Sequence, residues 1–340
     1  RDSSSMSKKI FISVASYQDP LLLETLCSAY QNAENKDNLV FGVCEQADNG
    51  INVHSINFKD QIKYELLDPV MAKGPCWARA RIQSLISNED YFLQIDSHTI
   101  FAKNWDKILI NYHVWIEKCL ENHFVISGYP RGFKPNKELD SFKLNTAYKE
   151  TLGITFREKR MFEDGYYSMQ KSFPANTNLP AKGLLIAGGF IFARKEFASL
   201  IPYDPKFYFH GEELSIALRL YTNMWDVVHI PRVPLFHLYT DVDNLIRKLH
   251  WDPEDEKNRA IKWNELDRLS KSRLGDLINN NLESPFGLGK LRSIKDFGIL
   301  SGVDLINKKI IDEELATNSF CFEEIQSKFE PFESVNFEND

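Results

Sequence analysis

The 340-residue chain is predicted to be an α/β protein in which a mostly parallel sheet carries helices on its faces. Two observations support this prediction. Short apolar and β-branched runs alternate with amphipathic helical stretches over the first 127 residues, and this alternation is typical of parallel sheets in three-layer folds. In addition, 43% of the residues are hydrophobic, which is ample for one large domain or two smaller ones.

The first half of the chain predicts its elements in a regular order. A β-branched run forms the first strand, and Asp19 followed by Pro20 indicates the start of a helix, with Asp19 as its N-cap. Strands are predicted over residues 8–15, 39–44, 62–67, 91–95 and 124–127, and helices over 20–31, 74–86 and 105–120.

The second half is less regular. Residues 130–180 mix polar and aromatic side chains, including Tyr166 and Tyr167, and predict antiparallel strands and mobile loops. A strand over 183–193 contains Gly188 and Gly189. Helices are expected over 194–200, 211–221 and 264–282, and a strand over 225–230. The chain is acidic from 304 and is expected to finish in a frayed tail.

We divide the chain into three parts on this basis. Arg1 to Ser5 precede Met6, so residues 1–7 are expected to be an expression remnant or a disordered start. Residues 8–260 are expected to form the main α/β domain. Residues 261–340 are expected to form a helical C-terminal extension that ends in the acidic tail.

The composition disfavours a nucleic-acid-binding protein and an integral membrane protein, and it indicates a reducing compartment. The chain has 41 basic and 48 acidic residues, and its net charge of −7 gives no global basic field for nucleic acid. No window holds the roughly 18 apolar residues of an integral membrane segment, and no secretory signal is recognisable. The five cysteines are odd in number and lack CxxC spacing, which favours reduced thiols. These observations predict a cytoplasmic protein.

The most informative motif is Asp96-Ser97-His98, which directly follows the predicted strand 91–95. Ligands of open α/β sheets bind beyond the carboxyl ends of the strands, so this carboxylate and imidazole are suited to one divalent cation. His237 offers a third ligand far downstream. Oxygen and imidazole donors together suit Mn²⁺, or alternatively Mg²⁺, and such a cation would hold a diphosphate. The alternatives are a helix cap or a backbone-bound carboxylate at Asp96, and an ordinary core residue at His237.

Two further segments are expected at the same edge of the sheet. If the first strand is parallel to strand 91–95, Ala15, Ser16 and Tyr17 lie beside the metal motif, where Tyr17 can pack against a base. The alternative is an ordinary strand–helix loop. Arg79 lies near a helix start, where the helix dipole helps it to reach a phosphate. Arg81 points to another helix face and is expected in a surface ion pair.

Two residue pairs in the second half are further candidate functional positions. Gly188 and Gly189 interrupt an apolar run, and this pattern indicates either a close approach of backbone or ligand, or a bulge. Glu212 and Glu213 open a helix after an aromatic loop. They either complement the helix dipole or aim a carboxylate at sugar hydroxyls or the acceptor, and each glutamate can serve one purpose.

Taken together, these segments resemble glycosyltransferase family 60. This family comprises polypeptide α-N-acetylglucosaminyltransferases of the GT-A fold, including the Skp1-type GlcNAc transferase of the cytoplasm. A more distant similarity exists to polypeptide N-acetylgalactosaminyltransferases. The resemblance covers most of the chain from Lys8 to about Asp304. The matching segments are residues 10–17 with Asp19, 74–79, 94–98 with Trp105-Asp106, Gly188-Gly189, Gly211-Glu212-Glu213, His237 with Tyr239, and 286–289 with Arg292-Ser293.

The resemblance implies a Rossmann-like GT-A fold, UDP-GlcNAc as donor, a divalent cation and retention of anomeric configuration. According to this resemblance, the metal ligands are Asp96, His98 and His237. The nucleotide is bound by the loop of Ala15, Ser16 and Tyr17 and by Arg79. The transferred sugar is framed by Gly188, Gly189 and either Glu212 or Glu213.

The expected activity is therefore metal-dependent transfer of GlcNAc to a hydroxyl of a polypeptide, at serine, threonine or hydroxyproline. Residues 130–180 match no motif of the family, so a cell-surface or capsular glycan stays open as the acceptor. A catalytically inactive UDP-sugar-binding module is a second alternative. A non-haem iron oxygenase, built on two histidines and one carboxylate, is a third. The antiparallel double-sheet barrel of such oxygenases disagrees with the strand–helix alternation.

Overall fold

The computed structural model of the chain describes residues 8–147, 149–157, 162, 169–239, 247–319 and 323–325. The start predicted over 1–7, Tyr166, Tyr167 and Cys321 lie outside the described residues, as do residues 326–340 of the acidic tail. The other four cysteines are free thiols, in agreement with the sequence-based expectation: Cys27, Cys44, Cys76 and Cys119.

The described strands are numbered in chain order. They are β1 (Ile10–Tyr17), β2 (Leu39–Gln46), β3 (Ile62–Leu67), β4 (Tyr91–Asp96), β5 (Thr99–Phe101), β6 (Phe124–Ser127), β7 (Arg131–Pro135), β8 (Phe142–Leu144), β9 (Leu152–Phe156), β10 (Gln170–Pro174), β11 (Ala181–Gly183), β12 (Phe190–Arg194), β13 (Asp226–His229), β14 (Leu235–His237), β15 (Val303–Asp304), β16 (Lys309–Ile310) and β17 (Glu323–Glu324).

The described helices are α1 (Leu22–Asn32), α2 (Pro75–Gln83), α3 (Trp105–Cys119), α4 (Glu196–Leu200), α5 (Glu212–Thr222), α6 (Pro253–Glu256), α7 (Trp263–Ile278) and α8 (Ile294–Ser301). A single π-helical turn spans Leu315–Ser319. None of the helices in the described ranges has the length and apolar content that a bilayer crossing needs.

Nine strands of the described residues form the central sheet, in the spatial order β17-β11-β13-β6-β12-β4-β1-β2-β3. β1 pairs in parallel with β2 and β4, β2 with β3, and β6 with β13. β12 runs antiparallel between β4 and β6, and β11 runs antiparallel to β13 and β17. Seven of these nine strands therefore point the same way, and the predicted mostly parallel α/β sheet is confirmed.

Strand direction brings several segments to one edge of this sheet. Ala15 near the end of β1 lies opposite Asp96 at the end of β4. Phe190 at the start of the antiparallel β12 lies opposite Ile95, so Gly188 and Gly189 just before it reach the same edge. We call this edge, where β1 and β4 end and β12 begins, the site edge.

Alternating side chains of the strands build two cores, one on each face of the sheet. In β1, Ile12 and Val14 join a buried cluster with residues of α1 and α3, whereas Phe11 joins a cluster with residues of α2, α5, α7 and α8. Period-2 alternation with both faces covered explains why β1 is apolar at nearly every position. Each such side chain contributes about 1.5–3 kcal/mol relative to exposure. The three-layer arrangement follows directly.

A second, four-stranded sheet lies beyond the site edge, in the order β5-β14-β7-β8. β14 pairs antiparallel with β5, so that His237 lies opposite Thr99. The amide of Leu238 donates to the carbonyl of His98 at 3.0 Å. This pairing carries a residue from the far end of the chain to the motif that follows β4.

Residues 130–180 contain antiparallel pairs, as predicted, because β7 pairs with β8 and β9 with β10. Ile154 and Phe156 of β9 are fully buried in the core on the α2 and α5 face. This segment is therefore anchored to the domain through β9.

One predicted element differs. The strand expected over 183–193 is split into β11 and β12, and Gly188 and Gly189 lie in the turn between them. The amide of Phe190 donates to the carbonyl of Ala187 at 3.2 Å, which closes a tight turn. Side chains of the site fill the space beside both glycines, so this turn has no room for a larger residue at either position.

The C-terminal extension contains α7, as predicted, together with α8, which the sequence did not indicate, and the small β15–β16 hairpin. Leu274 and Leu277 of α7 and Phe297 of α8 belong to the same buried cluster as α2 and α5. The extension thus packs against one face of the α/β domain. The boundary near residue 260 stays a prediction.

Candidate active site

Asp96, His98 and His237 converge at the site edge. Among the residues that the structure describes, this carboxylate and these two imidazoles form a group that could hold a metal ion. One ligand atom from each residue lies within 4.8 Å of the others. Nε2 of His237 lies 2.8 Å from Oδ2 of Asp96, and Nε2 of His98 lies 3.8 Å from the same oxygen. The two rings meet edge to face, with centroids 4.6 Å apart.

The charge states of this cluster suit metal ligands. Burial would raise the pKa of Asp96, but hydrogen bonding from His237 and the Arg79 guanidinium together hold it well below its usual range. Burial lowers the pKa of His237, and this effect outweighs the hydrogen bond to Asp96, which raises the pKa. The ring is therefore neutral at neutral pH. The cluster therefore combines a carboxylate with an uncharged imidazole, the forms in which these side chains bind metals.

The contacts of Asp96 disagree with a helix cap or a backbone-bound carboxylate, and those of His237 disagree with an ordinary core residue. The carboxylate of Asp96 accepts hydrogen bonds from the side chains of Arg79 and His237, and it caps no helix. The side chain of Asp96 is 27% exposed, so one side of the cluster reaches solvent. His237 is buried, but its ring faces Asp96 and Tyr239 rather than an apolar core.

Asp19 lies directly behind His98, which the sequence did not indicate. One oxygen of Asp19 accepts from the Leu21 amide at 2.9 Å. The predicted N-cap role of Asp19 is wrong, because α1 begins at Leu22 with Leu21 as its N-cap and has no side-chain cap bond. The other oxygen lies 2.7 Å from both Ser97 Oγ and His98 Nδ1. Its place just before α1 gave only the cap signal, since the partner histidine lies 79 residues away.

Arg79 joins the cluster to the start of α5. Its Nη2 donates to Oδ1 of Asp96 at 2.7 Å, and its Nη1 lies 2.7 Å from both oxygens of Glu212. The side chains of Arg79 and Glu212 are only 6% and 7% exposed. Arg81 instead pairs with Glu65 at the surface, as predicted. The sequence thus separated the two arginines correctly, but gave no sign of the acidic partners of Arg79.

The two glutamates at the start of α5 have different partners. Glu212 faces Arg79 and accepts a hydrogen bond from the Cys76 thiol at 3.0 Å. Glu213 accepts from the Gly188 amide at 2.8 Å and from Tyr129 Oη at 3.0 Å. Burial, and next the neighbouring Glu212 charge, raise the pKa of Glu213 to about 7. Glu212 thus belongs to an ionic network, and Glu213 fixes the glycine turn.

Tyr129 and Gln170 complete the surroundings of Glu213. Nε2 of Gln170, in β10, donates to Tyr129 Oη at 3.1 Å and to the Ile186 carbonyl at 2.9 Å. Neither residue stood out in the sequence, although Tyr129 closely follows a correctly predicted strand. The irregular segment 130–180 is linked to the site through this pair.

Gly188 and Gly189 are required by close packing. A Cβ at Gly188 would lie 2.0 Å from Oε1 of Glu212 and 3.1 Å from Nη1 of Arg79. A Cβ at Gly189 would lie 2.9 Å from Oδ2 of Asp96. The groups that approach both glycines closely are side chains, not the backbone or ligand considered from the sequence.

Ala15, Ser16 and Tyr17 lie at the site edge, as strand direction predicted. The Tyr17 hydroxyl donates to Asp255 at 3.0 Å and also contacts the Arg259 guanidinium. The ring of Tyr17 packs edge to face against His250, which lies close in sequence to Asp255 and Arg259, with ring centroids 5.0 Å apart. Residues 250–259, which precede the C-terminal extension, therefore cover the end of β1, and no local pattern indicated this contact.

Comparison with known proteins shows which family and which solved structures this chain is similar to. The sequence profile of the family described as Glycosyltransferase (GlcNAc) matches residues 47–306. A comparison with curated protein sequences gave no match.

Three solved structures illustrate the similarity in fold. GalNAc-T7 with UDP, GalNAc and Mn²⁺ is 13% identical, with 86% of this chain and 54% of that chain covered and a TM-score of 0.54. S. aureus TarS is 14% identical, with 81% and 40% covered and a TM-score of 0.44. The mannosyltransferase PcManGT from Pyrobaculum calidifontis, in complex with GDP-Man and Mn²⁺, is 11% identical, with 70% and 59% covered and a TM-score of 0.44.

The chain spans about half the length of the GalNAc-T7 chain that it matches. At this identity the likeness shows the fold alone, which is GT-A, as the sequence predicted. The narrower assignment to family 60 stays a prediction. Because the profile matches most of the chain, and because the fold agrees with it, the chain belongs to the Glycosyltransferase (GlcNAc) family.

Proposed function

We propose that the protein is a metal-dependent retaining glycosyltransferase that moves GlcNAc from UDP-GlcNAc to a hydroxyl of a polypeptide. The observation that carries this proposal is the convergence of Asp96, His98 and His237 at the site edge, within 4.8 Å of one another. Membership of the GlcNAc family supports the transferred sugar. GalNAc-T7, which shares the fold and was solved with UDP and Mn²⁺, supports the nucleotide and the cation.

The residues of the cluster fit a divalent cation. Nε2 of His98 is buried and has no hydrogen-bond partner among the described residues, although it faces the Asp96 carboxylate. One carboxylate and two imidazoles form a mixed oxygen and nitrogen donor set, which suits Mn²⁺ better than Mg²⁺. A cation held there supplies Lewis-acid stabilisation of the departing diphosphate.

The chain's own side chains prepare the site for an anionic donor. We assign nucleotide binding to Ala15, Ser16 and Tyr17, at the end of β1, and to Arg79. The Arg79 guanidinium lies between Asp96 and Glu212, so its charge offsets carboxylate charge where a diphosphate has to bind. Removing this arginine would leave two acidic groups facing the phosphates.

Gly188, Gly189 and the two glutamates frame the transferred sugar in this proposal. The absence of side chains at both glycines leaves the turn close to Asp96 and Glu212. Glu212, fixed by Arg79, directs a carboxylate oxygen towards sugar hydroxyls. Glu213 holds the turn through the Gly188 amide and acts on the sugar indirectly.

Retention of configuration follows in this proposal from attack of the acceptor hydroxyl on the face from which the phosphate departs. The departing phosphate oxygen takes the hydroxyl proton, and a covalent enzyme intermediate is not required. The contacts of the glutamates support this route. Glu212 is held by Arg79 and Cys76, and the raised pKa makes Glu213 a poor nucleophile near neutral pH.

A donor screen tests the reaction. Release of UDP would be measured from UDP-GlcNAc, UDP-GalNAc and UDP-glucose, each with EDTA and after Mn²⁺ is restored. We expect UDP-GlcNAc to be preferred, EDTA to abolish turnover, Mn²⁺ to restore it, and NMR to show an α-linked product. A β-linked product would refute retention.

Matched variants tie the result to the cluster. His237→Ala should abolish UDP release, whereas Asp140→Ala, at an exposed position, should leave it unchanged. Serine-, threonine- and hydroxyproline-containing peptides would be compared with glycans as acceptors. Transfer to glycans alone would replace the polypeptide acceptor, and tight UDP binding without turnover on any acceptor would indicate an inactive binding module.

A further inference from the structure

Asp19 is a buried carboxylate that contacts the proposed metal site without belonging to it. Its side chain is 4% exposed. Oδ2 lies 2.7 Å from Nδ1 of His98 and accepts a hydrogen bond from Ser97 Oγ, also at 2.7 Å. Oδ1 accepts from the Leu21 amide at 2.9 Å. The turn before α1 uses only Oδ1, so it leaves the convergence of two donors on Oδ2 unexplained.

The contact with Asp19 determines which nitrogen of His98 carries the proton. A carboxylate accepts hydrogen bonds, so Nδ1 of His98 donates to it and carries the hydrogen. In a neutral imidazole, Nε2 then has the free lone pair. That atom is buried, lacks a hydrogen-bond partner among the described residues and faces Asp96 at 3.8 Å. The lone pair therefore points to where Asp96 and His237 offer their own ligand atoms.

The backbone of the motif is fixed from the same side. Thr25 Oγ1, in α1, donates to the Ser97 carbonyl at 2.8 Å and accepts from the Thr99 amide at 3.0 Å. Thr25 is fully buried. The start of α1 thus holds both the main chain around His98 and, through Asp19, its ring.

We infer that Asp19 is a positioning residue of the metal site, which holds His98 in the Nδ1–H tautomer with Nε2 directed at the cation. This inference rests on the proposed metal role of Asp96, His98 and His237. Carboxylates that accept from a metal-bound histidine orient the ring and increase its basicity, and their loss weakens metal binding about 10–100-fold.

Asp19→Asn tests the inference with Mn²⁺ alone as the probe. An asparagine presents one oxygen, so it can face His98 or the Leu21 amide but not both. Asp106→Asn is the matched control, because Asp106 is equally buried and accepts from the amides of Glu34 and Asn35. The dissociation constant for Mn²⁺ would be read from the EPR signal of the free ion, after circular dichroism has shown that each variant is folded.

We expect Asp19→Asn to weaken Mn²⁺ binding about 10–100-fold and Asp106→Asn to leave it within about twofold of the wild type. Equal affinities of wild type and Asp19→Asn would overturn the inference and leave the proposed function intact. A wild type that binds no Mn²⁺ would overturn the metal site itself, and the role of Asp19 with it.

A measurement on the wild type decides the matter if Asp19→Asn does not fold. Long-range ¹H–¹⁵N NMR of histidine-labelled, metal-free protein at pH 8 reports the tautomer of each ring, with His98→Asn identifying the signal. An Nδ1–H tautomer at His98 supports the inference, and an Nε2–H tautomer contradicts it.

Discussion

The two halves of the central sheet are built differently. β1 and β4 are eight and six residues long, parallel and almost entirely buried. β11, β12 and β13 are three to five residues long and mix directions. The first half fixes Asp96 at the end of a regular strand, whereas the second half delivers Gly188, Glu212 and Glu213 on turns and helix starts. The site therefore depends on contacts that join a regular half to an irregular one.

Arg79→Met should have the largest effect on stability, because Arg79 joins Asp96 of the first half to Glu212 of the second. Its removal leaves two buried or half-buried carboxylates without their partner, which costs about 3–5 kcal/mol in the free energy of unfolding. Urea denaturation measures this change. Arg81→Met, which breaks the exposed pair with Glu65, should cost at most about 1 kcal/mol. Equal losses in the two variants would show that Arg79 does not join the halves.

Glu213→Gln should change how the free energy of unfolding depends on pH, and this tests a carboxyl group of the second half. The folded-state pKa of Glu213 is raised from 4.5 to about 7, so its carboxyl destabilises the fold as it ionises. The stability present below pH 4.5 is lost between pH 4.5 and 7, by about 3 kcal/mol, and the loss then levels off. Glutamine lacks this loss. The variant should gain on the wild type by that amount between pH 4.5 and 8 in urea denaturation, whereas the exposed Glu138→Gln should follow the wild type.

Gly188→Ala tests the turn that the second half contributes. The new Cβ would lie 2.0 Å from Glu212 Oε1, so the glutamate has to move away from its place beside Arg79. Overpacking of this kind costs about 1–3 kcal/mol, and UDP release should fall as well. Gly128→Ala is the control, since its nearest contact is the Leu152 carbonyl at 3.8 Å. Wild-type turnover in Gly188→Ala would remove the turn from the site.

Ser293→Ala should have the smallest effect and should be confined to the C-terminal extension. Ser293 caps α8 and forms a reciprocal capping box with Asp296. Loss of the cap costs about 1 kcal/mol, because one amide at the helix start loses its acceptor. Thermal unfolding measures the shift, and UDP release should be unchanged. A loss of turnover would show that the extension supports the site.

The regular strands were predictable because local patterns determine them, and these include β6, which lies between β12 and β13 in the sheet. Ile62–Leu67 and Phe124–Ser127 were predicted to the residue, and β4 to within one residue, since apolar runs bounded by polar segments specify buried strands. Parallel pairing then brought Ala15 beside Asp96 without further information. His237 was predicted as a third metal ligand, and its position opposite Thr99 became visible only in the fold.

The remaining contacts depend on partners that are distant in sequence. Glu212 lies 133 residues from Arg79, and Asp255 lies 238 residues from Tyr17. Neither pairing leaves a periodic signal, because it is set by how the layers pack rather than by the local chain. Gly188 shows the same limit, since an apolar run with two glycines fits a strand until Glu212 is placed beside it.

The pairing of β14 with β5 has a consequence for biosynthesis. His237 and Asp96 are separated by 141 residues, so a nascent polypeptide released from the ribosome before β14 has Asp96 and His98 but not His237. The cluster proposed to hold the cation is thereby completed only after most of the α/β fold has been translated. Prematurely terminated products would lack the third residue of that cluster.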